Sequence, residues 1–343
     1  PGGGQAGRRT ILVPMYPISP RRARLRLGRA ELNQLAGALK IRLKRKRSPG
    51  SEFASAGGEA GRSCRRSGAG AVRWDDRSPG QVFDALREGD PLRVVQVNHP
   101  RFRMYALFDN TGWDGARWPP PFPLDFDAVE VLAGHTAFNA PGDRRSDQGV
   151  RDFYALIAHG AWVTGVGSSD THHLNGVLDG VARTYVLYDD PRAATVAPFD
   201  VDGFVAQLRG RRAVATTGPW LDVEVVDVGG GPSAGPGQTV RAASGRVRVD
   251  VELAQARYVH TDQIRVRVGG EVVRTERVPP DVRVHRLTLE VPVTAATWIG
   301  VDASGEQPLP EWMTGSYQRE KGRPGVVPYA IINPIRVAPA GAP

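Results

Sequence analysis

The last third of the chain alternates apolar and polar residues over several short segments, and this period of two restricts it to β-structure. A clear run is GRVRVDVEL at residues 245–253. Alternate side chains of a strand point to opposite faces, so each such segment buries one face. Gly269-Gly270, between two further runs, predicts a two-residue hairpin. Residues 219–338 are therefore predicted to form an all-β, sandwich-like domain, followed by a short tail at 339–343.

The preceding part of the chain mixes two kinds of pattern. Apolar runs that predict strands alternate with capped, amphipathic segments that predict helices. The strand runs are 93–100, 126–134, the run that leads into Asp170, and 183–188, and the helical segments are 78–89, 149–160 and 200–210. This alternation favours a parallel α/β layer. Residues 75–218 are therefore predicted to form an α/β domain.

The first 74 residues, called the head below, differ in composition from the rest. They carry 17 Lys and Arg against three acidic residues, a net charge of +14, whereas residues 75–343 carry 28 against 33, a net charge of −5. The overall charge of +9 thus comes from the head alone, so it does not indicate that the folded part binds nucleic acid. Because the head is of low complexity, we expect it to be disordered or not native to the protein.

Composition argues against several other classes of protein. No run of eighteen apolar residues is present, so no membrane-spanning helix is expected, and the first thirty residues show no secretory signal. The only cysteine, Cys64, excludes an intramolecular disulfide and a cysteine-based zinc cluster. No phosphate-binding glycine loop occurs, and Ser168 and Ser169 do not lie in a Gly-x-Ser-x-Gly motif. The cellular location and oligomeric state are left open.

Residues 163–173, VTGVGSSDTHH, carry the pattern with the clearest chemical content. An apolar run followed by glycines and serines is typical of a buried strand and the tight turn beyond it. Sites of α/β proteins gather beyond the carboxyl ends of strands. Asp170 and His172 point to the same side of an extended backbone, so they could bind one zinc, manganese or iron ion. The alternative is that Asp170 caps a turn and the histidines are solvated.

Two more residues have a matching position. His99 ends one predicted strand and Glu130 lies in another, and the carboxyl ends of parallel strands meet at one edge of a sheet. Taken alone, His99 would be a structural histidine and Glu130 a surface or edge residue. Their placement together with Asp170 and His172 predicts a metal site formed by His99, Asp170 and His172.

Other residues near this edge are candidates for contacts with a substrate. Arg101 and Arg183 could hold an anionic group, although salt bridges explain them equally well. Glu130 belongs to the same substrate-binding set, and His173 could orient the substrate or a metal ligand. The loop at 108–123, rich in tryptophan and proline, is expected either to cover the site or to pack against the core.

Taken together, these segments resemble the PHP metallohydrolases (the polymerase and histidinol phosphatase superfamily), and within it the carbaryl-hydrolase-like CehA/McbA branch. The matching segments are QVNHPR at 96–101, DAVEV at 127–131, GVGSSDTHH at 165–173, RTYV at 183–186, LRGRRAVATTGP at 208–219 and PYAIINPI at 328–335. The resemblance covers about residues 75–338. It implies a distorted β/α barrel with a cluster of zinc, manganese or iron ions, and hydrolysis of phosphoester, ester or amide bonds in a small-molecule substrate.

The resemblance also assigns roles to residues. It places a histidine ligand of the family at His99 and the family's final Asp-x-His at Asp170 and His172, the expected catalytic residues. The family begins with a His-x-His pair, whereas this sequence has no histidine before His99. A partial barrel of the PHP type with at most three metal ligands is therefore expected, with weak or absent hydrolysis. The alternative is a non-catalytic remnant or binding module without a complete metal site.

Overall fold

The computed structural model describes residues 77–88, 94–101, 107–116, 125–133, 148–171, 180–188, 200–320, 322 and 324–341, and the backbone of 11–14. The strands up to residue 218 are β1 (Ile11–Pro14), β2 (Gln96–Val97), β3 (Ala128–Ala133), β4 (Thr164–Ser168), β5 (Arg183–Tyr188) and β6 (Ala213–Thr216). The later strands are β7 (Trp220–Asp227), β8 (Thr239–Ala242), β9 (Arg246–Ala254), β10 (Gln263–Val268), β11 (Glu271–Arg277), β12 (Val284–Pro292), β13 (Thr297–Ser304), β14 (Tyr329–Ile332) and β15 (Ile335–Pro339). The helices are α1 (Pro79–Arg87), α2 (Leu107–Thr111), α3 (Gln148–Ala158), α4 (Val201–Arg209), α5 (Glu311–Thr314) and α6 (Tyr317–Glu320).

The longer helices begin and bury their faces as the sequence predicts. Ser78 caps α1, because its hydroxyl accepts a hydrogen bond from the backbone N–H of Gln81 while the Gln81 side chain accepts one from the Ser78 N–H. In α3 the apolar residues at helical spacing, Phe153, Leu156 and Ile157, are all buried. Local capping and periodicity therefore account for these two helices.

A small parallel sheet has the strand order β2-β3-β4. In its register Val97 lies beside Val129, and Glu130 lies beside Val166. The register shifts between Glu130 and Leu132, an irregularity typical of a β-bulge. The parallel direction of these strands agrees with the sequence prediction, and it brings their carboxyl ends to one edge.

The strand at 183–188 is the main correction to the predicted layer. The sequence predicted it as part of the parallel α/β layer, but β5 pairs antiparallel with β6 in a separate nine-stranded sheet. The described strands form three sheets and no closed β/α barrel. Apolar periodicity identifies a buried strand without specifying its direction, because parallel and antiparallel strands bury side chains with the same period. The described chain is thus a mixed α/β structure dominated by strands.

The sandwich-like part agrees with the alternation in the sequence. The antiparallel sheet β12-β9-β7 contributes to one apolar core with β8, β10, β13 and β15 of the large sheet. Gly269 and Gly270 join β10 and β11 with φ angles of 60° and 106°, as the predicted hairpin requires. The large sheet also continues across residue 218, since β6 pairs with β14. The two parts of the chain are therefore joined by backbone hydrogen bonds as well as by packing.

Four residues of the head belong to the large sheet. In β1, Ile11 pairs with Tyr188 and Pro14 with Tyr185, antiparallel to β5. The prediction of a disordered head did not include this strand, and the other residues of the head lie outside the described ranges. Among the described helices, none combines the length and apolar character that crossing a bilayer requires.

Candidate functional site

Four residues gather where β2, β3 and β4 end, and we call them the strand-end site: His99, Glu130, Ser168 and Asp170. His99 is two residues beyond β2, Glu130 lies within the central strand β3, and Asp170 is two residues beyond β4, which ends at Ser168. Because β2 and β4 flank β3 in parallel, these residues share one edge of the sheet. Sheet topology therefore brings segments more than thirty residues apart in the chain to one place.

The Glu130 carboxylate connects the two neighbouring strand ends. Oε2 of Glu130 accepts a hydrogen bond of 2.5 Å from the backbone N–H of His99. Oε1 accepts a hydrogen bond from the Ser168 hydroxyl. Glu130 is only 4 % exposed, so the expectation of a surface or edge residue is wrong for this glutamate. Its contacts hold the loops after β2 and β4 in place, and its contact with a substrate stays a prediction.

Burial dominates the acidity of this carboxyl group. Desolvation raises the pKa of Glu130 to about 7, and the hydrogen bonds from Ser168 and His99 only partly oppose it. Among the described residues, no cationic side chain forms an ion pair with Glu130. A carboxyl group with a pKa near neutrality is a recognised feature of functional sites, because it can exchange a proton under physiological conditions.

Backbone strain is concentrated at the same edge. His99 has a φ angle of 33° and Asp170 a φ angle of 49°, and only two other non-glycine residues in the described ranges, Arg211 and Asp281, have positive φ. This left-handed region is unfavourable for residues with a Cβ atom and persists only where the surroundings enforce it. Both described members of the predicted metal set therefore have backbone conformations that free loops seldom adopt.

Arg101 is occupied by carboxylates near this edge. Its Nε and Nη2 atoms donate to the two carboxylate oxygens of Asp152 at 2.7 and 2.8 Å, and Nη1 donates to Asp109 at 2.6 Å. Asp152 is 3 % exposed and also accepts a hydrogen bond of 3.1 Å from Trp113 Nε1. Of the two roles predicted for Arg101, the structure shows the salt bridge, which ties the residues after His99 to α3.

The described part of the loop at 108–123 packs against the core. Trp113 is 1 % exposed and lies in the same apolar core as Phe108 and Phe153. Of the two roles left open for the loop at 108–123, packing applies to its described part, 108–116. Residues 117–123 lie outside the described ranges.

Arg183 approaches the site from β5. A Cβ atom at Gly167 would lie 2.9 Å from the carbonyl oxygen of Arg183, so the start of β5 lies directly against the end of β4. The Arg183 guanidinium donates to the Tyr185 hydroxyl and to the Gly180 carbonyl, both at 2.9 Å. Both partners are neutral, and no carboxylate of the described residues pairs with Arg183. Its charge is therefore not neutralised within the described part of the chain.

The predicted metal ligands are only partly described. His99 and Asp170 fall in the described ranges, whereas His172 and His173 lie outside them. Within those ranges, no three His, Cys, Asp or Glu side chains come together as a metal site. An imidazole and a carboxylate are nevertheless a donor pair that suits zinc, manganese or iron. The described donors are thus compatible with a metal ion but do not complete a site.

Sequence reasoning missed two residues that organise this region. Asp152 was not singled out, although an acidic residue between apolar positions of GVRDFYALIA at 149–158 was a visible signal. Ser168 was treated only as part of a tight turn. Its bond to Glu130 depends on the pairing of β3 with β4, which no local pattern specifies.

Comparison of the chain with family models, with curated proteins and with solved structures found no match. The resemblance drawn from the motifs therefore stays a prediction.

Proposed function

We propose that this protein is a metal-dependent hydrolase of the PHP type, acting on ester, amide or phosphoester bonds of a small molecule. One observation carries the proposal: the buried carboxylate of Glu130 joins the strand ends that bear His99 and Asp170. In this proposal β2, β3 and β4 belong to a partial PHP barrel, and the β-rich part after residue 218 is its sandwich domain.

The spacing of the strands suits a shared ion. Neighbouring strands lie about 4.8 Å apart, so the ends of β2 and β4 are roughly 10 Å apart across β3. An imidazole from one side and a carboxylate from the other can span that distance when each ligand bond is about 2 Å long. We assign the ion to His99, Asp170 and His172. When bound, a divalent zinc, manganese or iron ion would supply Lewis-acid activation of water and of the bond to be cleaved.

Other residues near the proposed ion position its ligands or contact the substrate. Glu130 fixes the His99 backbone and the Ser168 hydroxyl, which holds both ligand loops at the edge of the sheet. Arg101 holds the His99 loop against α3 through Asp152. Arg183, whose described partners are neutral, is the residue we assign to an anionic part of the substrate. His173 remains assigned to orienting the substrate or a ligand.

The proposed activity is weak. A set of three protein ligands holds one ion and leaves nothing to place a second or third, whereas the fast chemistry of the family uses several. A second candidate function, a binding module without catalysis, is favoured by one observation. Arg101 is fully engaged by carboxylates, so it does not offer its charge to a substrate.

Metal content and hydrolysis of the full chain test the proposal. The purified protein is loaded with Mn²⁺ or Zn²⁺, dialysed, analysed for metal and assayed on aryl esters and aryl phosphates. We expect near-stoichiometric metal and slow turnover, both lost in Asp170→Ala, with metal affinity lowered at least about tenfold. Asp281→Ala is the matched control, because Asp281 also has a positive φ angle, of 65°, but lies in the sandwich-like part.

The control separates loss of a ligand from loss of the fold. Metal and turnover retained in Asp281→Ala but lost in Asp170→Ala support the hydrolase. Wild-type protein that retains no metal contradicts it and favours the binding module. Fast turnover would instead mean that other parts of the chain or a second subunit supply further ligands.

A further inference from the structure

Two arginines lie together at the end of β4 opposite to the strand-end site, and we call them the arginine pair: Arg211 and Arg336. Arg211 lies in the turn between α4 and β6, and Arg336 lies in β15. Both contact Trp162, which precedes β4, whereas Ser168 ends that strand. Trp162 and Ser168 are six positions apart, a span of roughly 20 Å in an extended strand, so the arginine pair is remote from the Ser168 end of the strand-end site.

Trp162 fixes the position of both guanidinium groups. The Arg336 guanidinium lies over the Trp162 ring, 4.0 Å from its centroid. Arg211 Nη1 donates to the Trp162 carbonyl at 3.0 Å and to the Arg209 carbonyl at 3.3 Å. The two cations are therefore held beside one another by the same residue.

The acidic residues at this end of the sheet are paired with other arginines. Arg87 bonds to Asp125 and Asp127, and Arg209 pairs with Asp127 at 3.3 Å. No carboxylate of the described residues pairs with either member of the arginine pair. Two like charges thus remain close together and partly buried, an arrangement that is costly without an anion.

Arg211 also has donors that are available to a ligand. Its Nε atom is buried and has no hydrogen-bond partner in the described structure, so this donor is available to a water molecule or an anion. Burial and the charge of Arg336 lower the pKa of Arg211, and burial lowers the pKa of Arg336. Because Nη1 is already used, Nε and Nη2 form the free edge, which binds oxyanions in a bidentate manner.

We infer that the arginine pair and Trp162 form a binding site for a phosphate-type oxyanion, free or carried by a small molecule. Two guanidinium charges match the charge of about −1.5 to −2 on a phosphate monoester, whereas a carboxylate would neutralise only one. The Trp162 indole ring covers one face of the Arg336 guanidinium, and the N–H groups at the edge of that guanidinium stay available to the ligand. The site is independent of the proposed hydrolase, because it shares no residue with the strand-end site.

Thermal unfolding of the full chain with inorganic phosphate tests this site. Phosphate is added at increasing concentration, and sodium chloride at matched ionic strength serves as the comparison. We expect phosphate to raise the Tm by at least about 2 °C more than chloride, because a ligand that binds only the folded state stabilises it. Arg211→Gln and Arg336→Gln should each abolish this extra shift.

The variants should also change the protein without phosphate. Removing one of two repelling charges should leave the Tm equal to or above that of the wild type, although the same variants lose the response to phosphate. Arg248→Gln is the control, because Arg248 is exposed and paired with Asp250 at 2.9 Å. That variant should respond to phosphate like the wild type.

Three results would overturn the inference. Chloride could produce the same shift as phosphate, which would reduce the effect to general screening. Both glutamine variants could keep the extra shift. A short single-stranded oligonucleotide could bind the arginine pair with a steep dependence on salt while phosphate does not, which would make the partner a nucleic acid.

Discussion

Two buried carboxylates, in different parts of the molecule, are compensated in opposite ways. Asp302 in β13 is completely buried, and it accepts hydrogen bonds from Arg265 Nε at 2.6 Å, Arg267 Nε at 3.0 Å and the Tyr329 hydroxyl at 3.2 Å. Glu130 is almost as buried, but its partners are a backbone N–H and a hydroxyl. One acid is matched by cations and the other only by neutral donors.

The difference separates a structural cluster from a candidate functional one. Although burial lowers it, the charge of Asp302 raises the pKa of Arg265 above its ordinary value, as expected where opposite charges are paired in the interior. Tyr154 of α3 also reaches Asp302, at 3.5 Å, so this cluster connects α3 to the sandwich-like part. At Glu130, burial disfavours the charged form of the carboxyl group, so the group binds a proton more readily than a solvent-exposed glutamate does.

The largest expected effect comes from removing the matched charge. Asp302→Asn leaves Arg265 and Arg267 without their anion, and we expect a loss of about 3 kcal/mol in the free energy of unfolding. Urea denaturation measures this loss. Asp250→Asn removes a carboxylate from an exposed pair with Arg248, and should cost less than about 1 kcal/mol. Equal losses in the two variants would show that burial does not make the Asp302 charge more important to stability than the exposed charge of Asp250.

The next effect is the pH dependence of stability caused by Glu130. Its pKa is about 7 in the folded chain against an ordinary value of 4.5. The neutral form stabilises the fold fully below about pH 4.5, and this contribution is lost as pH rises through 7. At 1.36 kcal/mol for each pH unit, the loss is at most about 3 kcal/mol. The metal-free protein is the right sample for this measurement.

Glu130→Gln mimics the protonated acid and removes that loss. We expect the variant to match the wild type near pH 4.5 and to be more stable, by up to about 3 kcal/mol, at pH 8.5. Denaturant unfolding at several pH values gives the difference. The same series in a His99→Gln background isolates Glu130 from the neighbouring imidazole. A constant difference between variant and wild type at all pH values would show that Glu130 is not protonated on folding.

The smallest expected effect concerns strain at the strand-end site. Asp170 has a φ angle of 49°. We expect the Asp170→Gly variant to have a free energy of unfolding about 1 kcal/mol higher than Asp170→Ala, because only alanine has a Cβ atom that clashes in this conformation. Both substitutions remove the same side chain, so their difference reports the backbone alone. Asp302 lies within the strand β13, where the order should reverse: Asp302→Gly should be less stable than Asp302→Ala by about 0.5–1 kcal/mol. Thermal or urea unfolding of the four variants measures both differences.

The sequence by itself determined the local structure. The Ser78 cap defined the start of α1, apolar spacing defined the buried face of α3, and Gly269-Gly270 defined a hairpin. Alternation after residue 218 defined the sandwich-like character. Each of these features depends on residues within a few positions of one another, where propensity, capping and periodicity act directly.

Only the tertiary structure decided which charges meet. It reversed the direction expected for β5, buried Glu130 in the middle of a sheet, and placed Asp152 against Arg101, 51 positions away in the chain. It also brought Arg211 beside Arg336. Periodicity specifies which face of a strand is buried, but not its direction or its neighbours. Those depend on long-range hydrogen-bond pairing and on how the helices and sheets pack, which no single segment of the sequence encodes.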